Sequence, residues 1–184
     1  LKAAHTGEAI AEHKRLVLSN SGDDWEHAFM RDSLMQSLVG HRDLATLESR
    51  PTIVFINGEF WGIHHIQERF DRFYLENHYG ANPDSVVVLE NNGELDEGYG
   101  GDEASYFEIQ DFILSNDISI KENYDHLNTL MDIDNYIDYF AINTYYNNTD
   151  WPHNNVKLWR YKGNSSDEAK ANTDSARDNE TIKQ

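Results

Sequence analysis

The chain has 184 residues, 39% of them hydrophobic and 12% aromatic, which suits one globular body with a substantial core. Its 33 acidic and 15 basic residues give a formal net charge of -18, which disfavours nucleic-acid phosphates and anionic membrane surfaces as partners and suits a divalent cation or a basic protein. Cysteine is absent and no run of about 18 apolar residues occurs, so disulfide frameworks, thiolate chemistry and a membrane-spanning helix are excluded.

Residues 1–16 lack the apolar core of a signal peptide, and the first element predicted is a short strand at 15–19, "RLVLS". "NSGDDW" breaks it at Gly22 and supplies Asp23 or Asp24 to cap a helix, with Glu26 three positions after Asp23 as in a capping box. That helix is expected to run to about Val39, burying Phe29, Met30, Leu34, Leu38 and Val39 along one face.

"TIVFINGEFWGIHHIQE" carries two apolar runs rich in β-branched and aromatic residues, joined by Asn57 and Gly58, the preferred pair for a type I′ turn, and predicts a β-hairpin. A short helix follows in "RFDRFYLENHYG", with Phe70, Phe73 and Tyr74 and a terminal Gly80; "SVVVLE" (85–90) reads as a buried strand. The acidic, glycine-rich stretch 90–103 is expected to be a mobile surface loop, since it lacks the regular alternation of a calcium-binding loop. Three helices come next: "ASYFEIQDFILS", "KENYDHLNTLM" and "DIDNYIDYFAINTYYN". The last is capped by Asp132 or Asp134, with Ile133, Ile137, Phe140, Ala141 and Thr144 on one face. "VKLWRY" (156–161) alternates as a strand does, and residues 162–184 are too poor in large apolar side chains to offset their ordering entropy, so they read as a disordered tail or linker.

His64 and His65 are neighbours on a strand and point to opposite faces, and His41, His78 and His153 have no histidine partner at i, i+4, so the histidines do not make a zinc site. The segment with chemical promise is "NNTDWPHNN" (147–155), where Asp150 sits between a helix and a strand and Asn155 follows with four residues between. In phosphoryl transfer an aspartate can orient and deprotonate the attacking hydroxyl while an asparagine of the same loop offers an oxygen to magnesium. By spacing alone the pattern is also that of an ordinary Asn-Asp-Pro turn.

The order and content of "RLVLSNSGDDW", "RPTIVFINGEFWGIHHIQERFD", "HYGANPDSVVVLE" and "MDIDNYIDYFAINTYYNNTDWPHNNVKLWR" resemble the spore-coat protein H (CotH) kinase family, from about Arg15 to Tyr161. The resemblance implies an α+β, atypical protein-kinase-like fold with a β-hairpin lobe followed by a helical lobe. It also implies transfer of phosphate from ATP, with magnesium or another divalent cation, to serine or threonine hydroxyls of a protein. On that pattern Asp150 stands at the catalytic aspartate and Asn155 at the metal-binding asparagine, with Asn154 as the second choice. Glu68 matches a family acid that would pair with a basic residue near the nucleotide phosphates; the plainer reading of Glu68 is an exposed charge beginning the next helix.

Two departures and a smaller mismatch accompany the resemblance. The family continues past the "VKLWRY" strand into a tryptophan-and-aspartate segment whose acid binds metal, and it has upstream strands that contribute a nucleotide-binding lysine; here Lys14 is the only lysine beside an early strand, and Ser19 replaces the arginine of the family's "LRNSGNDW". The expectation is therefore an incomplete kinase domain: its central part at residues 1–161, then the polar tail. The expected partner is a basic, serine-rich protein, and the expected setting a bacterial spore coat or extracytoplasmic face. The alternative is a non-catalytic interaction module of the same fold, with Trp61, Trp151 and Trp159 as a platform for a glycan or a partner.

Overall fold

The computed structural model describes residue 1 and residues 9–162. It is a mixed α+β structure that divides into two compact units, Leu1–His78 and Tyr79–Gln184, each built on a three-stranded antiparallel sheet.

In the first unit β1 (Leu16–Ser19), β2 (Ser49–Ile56) and β3 (Glu59–Glu68) are arranged in the order β1-β3-β2. The hairpin β2–β3 forms as predicted: Asn57 and Gly58 have φ of 53° and 84°, the left-handed pair that a type I′ turn requires, and Ile53 faces Ile63 across the ladder. Helix α2 (Arg72–Tyr79) also appears where expected. Its start is capped by Asp71, whose Oδ1 accepts from the N–H groups of Phe73 (2.9 Å) and Tyr74 (3.1 Å), and Gly80 leaves it at φ 67°.

The expected helix from Asp23 to Val39 is instead two pieces. A 3-10 turn spans Gly22–Glu26, Phe29 adopts φ 62°, and α1 begins only at Arg31 and ends at Val39. Asp24 serves the second piece: its carboxylate accepts from the N–H groups of Ala28 (3.2 Å) and Arg31 (2.9 Å). The hydrogen bond from the Arg31 amide is the chief reason its pKa lies below the usual aspartate value. Restarting the helix changes which face meets the sheet. Ser33 hydrogen-bonds His65 and Gln36 accepts from the Leu47 amide, so the inner face is the polar 33/36 row; Met30, Leu34 and Leu38, expected in the core, are about half exposed. His65 is buried on this face, with Nε2 donating to the Phe29 carbonyl at 3.1 Å.

The second unit contains β4 (Val86–Glu90), β5 (Glu94–Glu97), α3 (Ala104–Ser115), α4 (Lys121–Leu130), α5 (Ile133–Tyr145) and β6 (Lys157–Tyr161), with sheet order β5-β4-β6. The apolar run of β4 is buried at the centre of the sheet, and Val87, Leu89, Val156 and Leu158 form a core cluster flanked by Leu95, Tyr106, Ile109, Met131 and Trp151. The stretch 90–103 is not simply a loop. Asn91 and Gly93 turn the chain at positive φ, and β5 then pairs back on β4 with Leu95 opposite Leu89. Further ties come from Lys157 to Asp96 and from Lys162 to Asp102 (2.6 Å). Lys162, expected to open the tail, thus belongs to the fold; the rest of the predicted tail, 163–184, lies outside the described residues. Asp132 caps α5 by accepting from the Asn135 amide at 3.0 Å, as predicted, but only Ile133 of the expected apolar row is buried, while Ile137 and Phe140 are about half exposed.

Candidate active site

Helix α5 ends in a Schellman motif that delivers the chain to Asp150. The Asn148 amide donates to the Asn143 carbonyl (3.0 Å), the Asn147 amide donates to the Thr144 carbonyl (3.1 Å), and Asn147 takes the left-handed conformation this closure needs, φ 52°. Asparagine is one of the few residues other than glycine that adopts it at low cost. The Asp150 amide then donates to Asn148 Oδ1 (3.1 Å), an Asx turn that sets the direction of the next residues. Trp151 follows, joined to Pro152 by a cis peptide bond. Its ring packs edge-on against Phe140 (4.9 Å) and Tyr139 (6.0 Å) and against the core cluster. Burial pushes the Tyr139 hydroxyl above its usual pKa, against the opposing effect of hydrogen bonds from Trp151 and Asn143.

The Asp150 carboxylate is exposed and each of its oxygens takes one carboxamide: Oδ1 accepts from Asn154 Nδ2 at 3.1 Å and Oδ2 accepts from Asn155 Nδ2. A carboxylate is acceptor-only, so it must be met by the amide NH2 groups, and both asparagines keep their side-chain oxygen as a further donor atom. The resulting set, one carboxylate and two carboxamide oxygens on a single turn, is the hard-oxygen chemistry that magnesium prefers. Each carboxylate oxygen also retains a second lone pair for a substrate hydroxyl. Among the described residues, no three His, Asp or Glu side chains gather into a metal-binding group.

Glu68 lies in the first unit, at the end of β3. It is 3% exposed, so it is not a solvent-facing charge at the start of a helix. Its Oε1 lies 2.8 Å from His78 Nε2 and 3.8 Å from His13 Nδ1, and its Oε2 accepts from the Glu48 amide at 3.0 Å. The basic groups beside Glu68 are therefore imidazoles. Lys14, the lysine beside the first strand, bonds Glu76 at 2.6 Å and sits over the Phe73 ring.

Sequence reasoning brought Asp150, Asn154 and Asn155 to one turn, and the structure puts them in direct contact. It overlooked Asn143 and Asn148, although an asparagine two residues before an acid is an Asx-turn signal. Nor do Trp61, Trp151 and Trp159 make a platform: Trp159 is 8% exposed within β6, Trp151 is packed on the core, and of the three only Trp61 is well exposed.

Among curated proteins none matches the chain. A family model described as CotH kinase protein matches residues 2–171, a span that takes in every strand and helix described above. On that match, the chain belongs to the CotH kinase family.

Proposed function

We propose that this chain carries the catalytic turn of an atypical protein kinase that transfers the γ-phosphoryl group of ATP to a serine or threonine hydroxyl of a basic, serine-rich protein. The observation that carries the reading is the Asp150 carboxylate, exposed on the α5–β6 turn with both oxygens engaged by Asn154 and Asn155. Membership of a kinase family supplies the reaction class.

In this reading Asp150 orients the substrate hydroxyl and takes its proton as that oxygen bonds to the γ-phosphorus and ADP leaves. Asn155, fixed through its NH2 group on Asp150, would offer its carboxamide oxygen to magnesium, with the Asn154 oxygen as its neighbour. Magnesium bound with the nucleotide would supply neutralisation of charge on the phosphate oxygens. Exposure of the turn leaves room for a macromolecular hydroxyl to approach, and the net charge of -18 favours a basic substrate.

The test is magnesium-dependent transfer of labelled phosphate from ATP to a basic, serine-rich protein. Asp150→Asn keeps the size of the side chain and removes the base; we expect a loss of at least about a hundredfold. Transfer at the unmodified rate by Asp150→Asn would show that Asp150 is not the base. Absence of magnesium-dependent ATP binding would instead favour the non-catalytic module.

A further inference from the structure

We propose that Asn143 and Asn148 form a positioning relay that fixes the main chain of Asp150 to helix α5, a role that rests on the kinase reading of Asp150 for its catalytic consequence but not for its geometry. Three hydrogen bonds run in series. Asn143 Nδ2 donates to the Tyr139 carbonyl (3.0 Å), Asn148 Nδ2 donates to Asn143 Oδ1 (2.8 Å), and the Asp150 amide donates to Asn148 Oδ1 (3.1 Å).

The polarity of the series is fixed from both ends. At one end stands a main-chain carbonyl, which only accepts; at the other a main-chain N–H, which only donates. Turning either carboxamide over would set oxygen against oxygen or NH2 against N–H, so the two side chains have one mutually consistent arrangement. The relay also spans the Schellman closure, where Asn148 N–H already returns to the Asn143 carbonyl, so this pair is joined through both main chain and side chain.

The asparagines around Asp150 thus divide by task. Asn143 and Asn148 hold its main chain, whereas Asn154 and Asn155 hold its carboxylate. A base that must meet a hydroxyl within hydrogen-bond reach loses rate when its backbone is free to wander, even with its carboxylate intact. Asn143 and Asn148 are therefore positioning residues: they act through Asp150 and require no contact with substrate.

The experiment uses the 184-residue chain and two readouts, amide hydrogen exchange at Asp150 followed by NMR and steady-state phosphate transfer. Asn148→Ala removes both side-chain bonds, while Asn148→Asp and Asn148→Ser keep an acceptor for the Asp150 amide. We expect Asn148→Ala to speed exchange at Asp150 by about tenfold, and to lower kcat by about tenfold with KM for ATP unchanged. Asn148→Ser should retain slow exchange and recover most of kcat; Asn148→Asp keeps the bond from the Asp150 amide but sets a carboxylate against Asn143 Oδ1, so it should retain slow exchange with a partial recovery of kcat. Asn143→Ala should give a smaller effect, and adding it to Asn148→Ala should cost little more, because the two act in one series.

Exchange at Asp150 unaltered by Asn148→Ala overturns the relay, as does a kcat loss that the acceptor-retaining variants do not recover. If exchange responds as expected but Asp150→Asn transfers phosphate normally, the kinase reading fails and the relay stands. If Asp150→Asn is inactive and Asn148→Ala matches the unmodified chain in both readouts, the relay fails and the kinase reading stands.

Discussion

A carboxylate withdrawn from water needs its lone pairs filled, and Glu68 finds donors within its own unit, His78 Nε2 on Oε1 and the Glu48 amide on Oε2, with His13 Nδ1 standing off at 3.8 Å from Oε1. His78 is itself stacked on Tyr74 at 4.0 Å, and the Tyr74 hydroxyl donates to the Thr46 carbonyl at 2.8 Å, so the acid ties the end of β3 to α2 and to the segment before β2. Removing Glu68 deprives His78 Nε2 and the Glu48 amide of this acceptor, at a cost of about 1–3 kcal/mol for each buried hydrogen bond lost. We therefore expect Glu68→Ala to lower the stability of the chain by about 3 kcal/mol in urea unfolding. Loss of ATP binding by Glu68→Ala with an unaltered urea midpoint would instead make this acid a nucleotide contact without a structural role. The sequence could show that Glu68 matches a family acid, but not that it is buried. Its partner His78 lies ten residues away on the far side of a helix start, a proximity that only the packing of α2 against β3 creates.

Elements were legible where one residue pair or one uninterrupted pattern leaves a single geometry. Asn57-Gly58 admits few turns besides type I′, and the Val-Val-Val-Leu run of β4 has nowhere to go but inside. The break before α1 was hidden because the left-handed residue is Phe29, an aromatic with no local reason to adopt φ 62°. Its ring rests on His65 at 5.0 Å and on Trp25 at 5.5 Å, so tertiary contacts override the helical pattern. Strand β5 was hidden for a related reason: "ELDE" has poor β propensity, and its pairing depends on Leu95 meeting Leu89 and on Lys157 reaching Asp96. The turn into β5 gives the sharpest test at this scale. A Cβ on Gly93 would lie 2.4 Å from the Tyr106 ring, and the residue has φ 87°, whereas a Cβ on Gly100 would meet nothing within 4 Å. Gly93→Ala should cost on the order of 2 kcal/mol or more and Gly100→Ala should lie within about 0.5 kcal/mol of the unmodified chain, both read as urea midpoints. Equal midpoints for the two variants would mean that the Gly93 turn does not hold β5 against the sheet.

At the scale of the whole molecule, the family pattern was readable because it is spread through the chain as ordered blocks, each of which makes its own element. The hydrogen bonding of the α5–β6 turn was not readable in the same way, since the D-x-x-x-x-N spacing fixes which residues are near but not that two carboxamides grip one carboxylate. Composition adds a property that no single site carries. With a formal charge of -18, the chain attracts positively charged molecules over a distance set by ionic strength, about 10 Å at 0.1 M salt and about 3 Å at 1 M. Encounter is therefore screened by salt, while the short hydrogen-bonded contacts around Asp150 are affected much less. For the proposed transfer, raising ionic strength from about 0.05 to about 0.5 M should increase KM for a basic protein substrate by about tenfold or more, leaving kcat within about twofold. A short uncharged serine peptide should show no such rise in KM, because it has no charge for the chain to attract. The same salt dependence for both substrates would mean that the acidic surface takes no part in choosing the substrate, and recognition would then rest on contacts close to the α5–β6 turn.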